Sequence, residues 1–120
     1  MFINFSNHGS KDWSKEQIKA AEDYGEIRDV PFPNVAAEAT EEEINALADQ
    51  CVEQILSFSP KAVMCQGEFT LCYAVIQRLK RNNIICLAAC SLREATVKQM
   101  KDGSTKRVSV FKFCKFREYK

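Results

Sequence analysis

Short apolar runs alternate with segments of helical spacing along the first ninety residues, and this alternation restricts the fold more than any other feature. Phe2 to Phe5 reads as a buried first strand. A loop, SNHGSKDW, follows it, and Ser14 with Gln17 makes a capping-box pattern for a helix that turns Ile18, Ala21 and Tyr24 inward and stops at Gly25. Glu26 to Val30 reads as a second strand, closed by Pro31 and Pro33. Thr40 with Glu43 repeats the capping pattern, and Ile44, Leu47, Ala48, Cys51, Ile55 and Leu56 then keep helical spacing. Ala62 to Cys65 is a third strand, Phe69 to Arg81 a third helix ending in Asn82 and Asn83, and Ile84 to Ala89 a fourth strand. Thr96 to Met100 and Arg107 to Phe116 flank Asp102-Gly103, a strong hairpin turn signal. Strands alternating with helices predict right-handed crossovers and a parallel sheet. The expectation is an α/β protein: a small Rossmann-like, three-layer domain over residues 1–120. It has four parallel strands, helices on both faces and a C-terminal antiparallel hairpin.

The 120 residues suit one domain, and 46% hydrophobic with 28% charged residues is ordinary for a chain that buries a core. A net charge of +1 carries no overall polyanion signature. The six cysteines mostly sit within apolar runs, where free cysteine behaves as a small hydrophobe. With no leader ahead of MFINFS, the expectation is a reduced, cytoplasmic protein. No Cys-x-x-Cys pair occurs and His8 is the single histidine, so no metal site is expected. No apolar run approaches the roughly 20 residues that span a bilayer.

In open α/β sheets, ligands bind beyond the carboxyl ends of the parallel strands. That rule selects three polar interruptions: Ser6, Asn7 and His8 after strand one, Gln66, Gly67 and Glu68 after strand three, and Cys90 to Arg93 after strand four. Gly67 permits close approach of a ligand or of the chain itself. The amides of Glu68, Phe69 and Thr70 open the third helix and favour an anion there, while Glu68 alternatively serves as a first-turn carboxylate that stabilises the helix. His8 is the candidate acid or base, or else a half-packed loop histidine. Asn7 suits a base edge or ribose, or an Asx-turn; Trp13 suits a base stack, or the packing of the first helix. Arg93 suits a phosphate clamp, or a surface salt bridge with Glu94 or a second-helix carboxylate. Ser91 offers a hydroxyl to phosphate. The basic residues around the hairpin turn read as solvated surface, and the tail KFCKFREY as a strand against a partner or an edge protected by charge.

QGEFTLCYAVIQRLKRNNI, then AACSLRE, then FKFCKFREY resemble the C-terminal half of small stand-alone CRISPR-associated proteins. Those carry a Gln-Gly-Asp/Glu elbow with a Tyr in the next helix, a Thr-Thr-x-Arg loop and a Phe-x-x-x-x-Phe-Arg-x-Tyr tail. The matching residues are Gln66, Gly67, Glu68 and Tyr73, then Arg93, then Phe111, Phe116, Arg117 and Tyr119. The opening NFSNH loop and the helix of Gln17 resemble the start of those proteins. Cys90 and Ser91 stand in place of the Thr-Thr pair, a departure that bears on catalysis more than on binding. The resemblance implies a CARF-like domain of type III-like CRISPR signalling in antiviral defence. It implies a homodimer that binds cyclic oligoadenylate across its two-fold axis, with neither membrane nor duplex nucleic acid as partner. Some such proteins are ring nucleases. Cleavage there needs no metal or cofactor, because the ribose 2′-hydroxyl is the nucleophile. Under that implication His8, Arg93 and Glu68 form the catalytic set, and Ser6, Asn7, Gln66, Gly67, Thr70 and Ser91 bind the ligand.

Two rival classes stand beside the ring nuclease. One is a non-catalytic sensor or sequestering module for the same messenger; the other is a structural or partner-binding protein with no nucleotide site.

Overall fold

The computed structural model describes residues 1–120. Five strands form one sheet in the order β2-β1-β3-β4-β5. They are β1 (Phe2–Ser6), β2 (Ile27–Pro31), β3 (Ala62–Cys65), β4 (Ile85–Gln99) and β5 (Thr105–Glu118). The first four run parallel; β5 returns antiparallel along β4. Three helices complete the fold: α1 (Lys15–Glu22), α2 (Glu41–Leu56) and α3 (Phe69–Arg81). The mixed α/β expectation is met, with four parallel strands and an antiparallel terminal pair.

The period-two alternation of strand side chains splits the core into two layers. Ile3, Phe5, Val63, Cys65 and Cys86 face α2 and α3, against Ile44, Ala48, Ile55, Leu71, Val75 and Leu79. Phe2, Ala62, Met64 and Leu87 face the other way, against Ala21 of α1. Each fully buried aliphatic or aromatic side chain contributes about 1.5–3 kcal/mol relative to exposure, so the α2–α3 layer carries most of the stability. The second helix starts with the full capping box its sequence predicts, whereas at Ser14–Gln17 only the Ser14 half of the box forms. Ser14 Oγ accepts from the Gln17 amide at 3.2 Å. Thr40 and Glu43 form a reciprocal box, each side chain accepting from the other's backbone amide. Asn83 ends α3 with a left-handed φ of 59°, a conformation Asn tolerates well. Arg78 ties α3 to α2, its Nε 2.8 Å from Asp49 Oδ1.

One element departs from expectation. Cys90 to Arg93 is not a loop after a short fourth strand. It lies inside β4, which continues to Gln99 in unbroken register with β5 apart from one bulge. Cys90 pairs with Lys115 and Ser91 with Phe113, which leaves Cys114 as the extra residue. The reason is cooperative. The tight Asp102-Gly103 turn, with Gly103 at φ +86°, sets the register, and β-branched and aromatic residues on both strands extend the pairing back to the body. Only Ile85 to Leu87 of β4 pair with β3. Ala89 and Phe116 still pack on the body, and beyond them the hairpin projects as a two-stranded ribbon. The molecule measures 55 × 38 × 24 Å with a radius of gyration of 17.1 Å, against roughly 14 Å for a compact chain of this length.

Candidate functional site

The chain steps from β1 to β2 on one side and then crosses to β3 on the other, so the connections diverge at the carboxyl ends of β1 and β3. A crevice of about 520 Å³ opens there. Ser6, Asn7, His8, Gln66, Gly67 and Ser91 line it, together with Asp12, Trp13, Gln17, Met64 and Ala89. Six of the nine sequence-predicted residues thus converge. Glu68, Thr70 and Arg93 do not line the crevice.

The β1 loop is built on a buried polar network. Asn4, only 2% exposed, donates through Nδ2 to the His8 carbonyl at 2.7 Å and to Asp29 Oδ1 at 2.9 Å. Ser6 Oγ sits 2.6 Å from Asn4 Oδ1 and 3.1 Å from the His8 carbonyl, and accepts from the His8 amide at 3.3 Å. Asp29 of β2 also accepts from the Ser10 amide through both oxygens. The backbone of His8 is thus held on every side, while its imidazole is exposed and makes no hydrogen bond. The Ser6 hydroxyl is engaged in this support rather than offered to a ligand. Asn4 and Asp29 were not singled out from sequence, although a polar residue inside the apolar run Phe2 to Phe5 was the available signal.

The elbow after β3 has a structural cause for each of its three residues. Gln66 Oε1 accepts from the Ala89 amide at 2.8 Å, extending the β3–β4 ladder past its last backbone pair and leaving the Gln66 amino group for the crevice. A Cβ on Gly67 would come within 2.6 Å of the Phe32 ring, which packs on Phe5 with centroids 4.8 Å apart. The close approach is made by the chain itself. We expect Gly67→Ala to displace the Phe32 ring and to destabilise the fold by about 1–3 kcal/mol, read as a lower urea midpoint at unchanged slope.

Glu68 caps α3. Its Oε1 accepts from the Thr70 amide at 2.8 Å, its Oε2 from the Leu71 amide at 3.1 Å, and the Thr70 hydroxyl lies 2.7 Å from each oxygen. Of the three amides expected to attract an anion, that of Thr70 is already taken by Glu68, and Thr70 lines a separate groove between α2 and α3. The Thr70 hydroxyl and then the two amides lower the Glu68 pKa. A lowered folded pKa means the stabilisation is complete above the ordinary glutamate value of about 4.3 and fades as pH falls through the lowered one. Glu68→Ala should cost about 1 kcal/mol at pH 7. Chemical denaturation at pH 7 and pH 3 checks this, and the gap to wild type should shrink at the lower pH.

Arg93 lies on the ribbon, exposed, with Nε and Nη2 donating to Ser109 Oγ at 3.3 and 3.1 Å. It forms neither a crevice clamp nor the alternative salt bridge. The cause is the uninterrupted β4, which carries Arg93 two residues, about 7 Å, beyond Ser91. Trp13 packs edge-on against Phe2 at 6.1 Å and also lines the crevice. Gln17 of α1 reaches the same space, its Nε2 3.9 Å from Met64 Sδ. Tyr73 and Tyr119 of the resemblance motifs meet elsewhere, in a groove along α3 with Phe69 and Ile76. Cys65 and Cys72 are buried with sulfurs 3.2 Å apart, and the Cys72 thiol together with burial keeps Cys65 protonated.

The family model described as "Uncharacterized protein MJ1673 family" matches residues 1–117. The chain belongs to the MJ1673 family. No curated protein and no solved structure matches it. The family name carries no activity, so the resemblance to CRISPR-associated proteins rests on its motifs alone. No helix is long and apolar enough to cross a membrane.

Proposed function

We propose that the crevice binds a nucleotide ligand, that this ligand is the cyclic oligoadenylate the sequence motifs imply, and that His8 acts on it. One observation carries the reading. Uncharged donors and acceptors on Asn7, Gln66 and Ser91, an indole and an unengaged imidazole share one crevice at the point where the strand connections diverge. Amides and hydroxyls suit base edges and ribose, and the Trp13 ring suits a stacked base. In a Rossmann-like, CARF-like homodimer, two such crevices would face one ring. For cleavage, the ribose 2′-oxygen attacks the adjacent phosphorus. Its proton passes to a base, the bond to the 5′-oxygen breaks, and that oxygen takes up a proton. The products are a 2′,3′-cyclic phosphate and a 5′-hydroxyl. His8 is the one imidazole available for either transfer.

A second reading, the non-catalytic sensor, is favoured by a specific feature. No lysine or arginine lines the crevice, and Glu68 already holds the Thr70 and Leu71 amides in the first turn of α3. Stabilisation of a phosphorane then requires Arg93 to leave Ser109 or a second copy to supply charge. Incubation in EDTA with cyclic tri-, tetra- and hexa-adenylate, followed by chromatography, separates the readings. Linear products with 2′,3′-cyclic phosphate ends support cleavage. Intact rings that bind by calorimetry support the sensor, and intact rings that do not bind reject both.

A further inference from the structure

The charge of this chain is segregated. From Cys90 to the C-terminus there are nine lysines and arginines against three acidic residues, whereas residues 1–89 carry eight against thirteen. A net charge of +1 conceals an acidic body and a strongly basic ribbon. Among the ribbon's nine cations only Lys120 forms an ion pair, with Glu118 at 3.3 Å. Lys98 and Lys106 stand directly opposite each other across the strands, an arrangement that destabilises an isolated hairpin. On the face that continues from Ser91, Arg93 lies opposite Phe111 and Val97 opposite Arg107, and both guanidinium side chains border Ser109. Phe111 is 70% exposed there. Unpaired cations, a like-charge pair and an exposed aromatic ring on a projecting ribbon match a polyanion with stackable faces. They do not match a purely apolar partner.

We propose that the outer half of the β4–β5 ribbon is a binding arm for single-stranded nucleic acid. Phosphates follow Arg93 and Arg107 on the face of Phe111 and pass round the ribbon edge to Lys98 and Lys106 on the opposite face, and a base stacks on Phe111. The acidic body repels the same strand, which confines binding to the arm. This inference does not rest on what occupies the crevice.

The probe is a fluorescein-labelled 15-nucleotide oligouridylate, titrated with the full chain and read by fluorescence polarisation from 50 to 200 mM NaCl. Three or four phosphate contacts give a log–log salt slope of about −2 to −3. Lys106→Glu combined with Arg107→Glu should weaken binding at least tenfold and flatten the slope. Phe111→Ala should weaken binding about tenfold without changing the slope. Lys19→Glu, an equal kind of charge change on the body, should leave binding within twofold. Circular dichroism checks that each variant keeps its fold; the substituted side chains lie outside the core. No binding at 50 mM NaCl with 50 μM protein overturns the proposal, as does binding that survives the double reversal. Tighter binding of a 15-base-pair duplex replaces it with a groove-reading ribbon. A dimer in sedimentation that dissociates on the same reversal, with no strand binding, replaces it with an arm that covers a second copy.

Discussion

His8→Ala should lower turnover of a cyclic oligoadenylate by about 10²–10⁴-fold, the usual contribution of a positioned acid or base, and leave the dissociation constant within about twofold. The expectation follows from how the loop is supported. Asn4 and Ser6 hold His8 through its backbone amide and carbonyl, so losing the imidazole leaves the loop geometry intact. The ring has no partner inside the chain, so its removal strands no buried group. Single-turnover rates and calorimetric affinities measured on the same preparations provide the check. Equal turnover in variant and wild type removes His8 from the chemistry. A parallel loss of affinity would instead make it a binding group.

The largest structural effect should come from Asn4→Ala. The side chain is buried and joins β1, β2 and the His8 loop through two donated hydrogen bonds and one accepted from Ser6. Truncation leaves the Ser6 hydroxyl without its closest acceptor and takes one donor from a carboxylate. A cost of about 2–3 kcal/mol is expected, a fall in melting temperature of roughly 10 °C. Ligand affinity in the crevice should fall as well, because the loop bearing Asn7 and His8 loses its anchor. Asn4→Asp is the informative companion. It places a second carboxylate against Asp29, and its destabilisation should ease as pH is lowered and the pair takes up a proton.

Much of the architecture was legible in the chain because it depends on local chemistry. Ser14 and Thr40 announce their helices by the amides they cap, Ala62 to Cys65 reads as buried because both of its faces are apolar, and Asp102-Gly103 specifies a tight turn wherever the flanking strands lead. The convergence of Asn7, His8, Gln66 and Ser91 was legible for a related reason: a parallel sheet places every strand's carboxyl end on the same side. What tertiary structure alone decided are the roles that depend on long-range partners. Gly67 is glycine because Phe32, thirty-five positions earlier, fills the space beside it. Glu68 faces its own helix because two amides and a hydroxyl outcompete any distant donor or cation for its carboxylate. Arg93 left the site because β5 pairs with residues that a short-strand reading assigns to a loop. Pairing between strands is a non-local interaction whose extent no window of sequence contains. Capping, turn formation and amphipathic spacing are local, and these the sequence determined by itself.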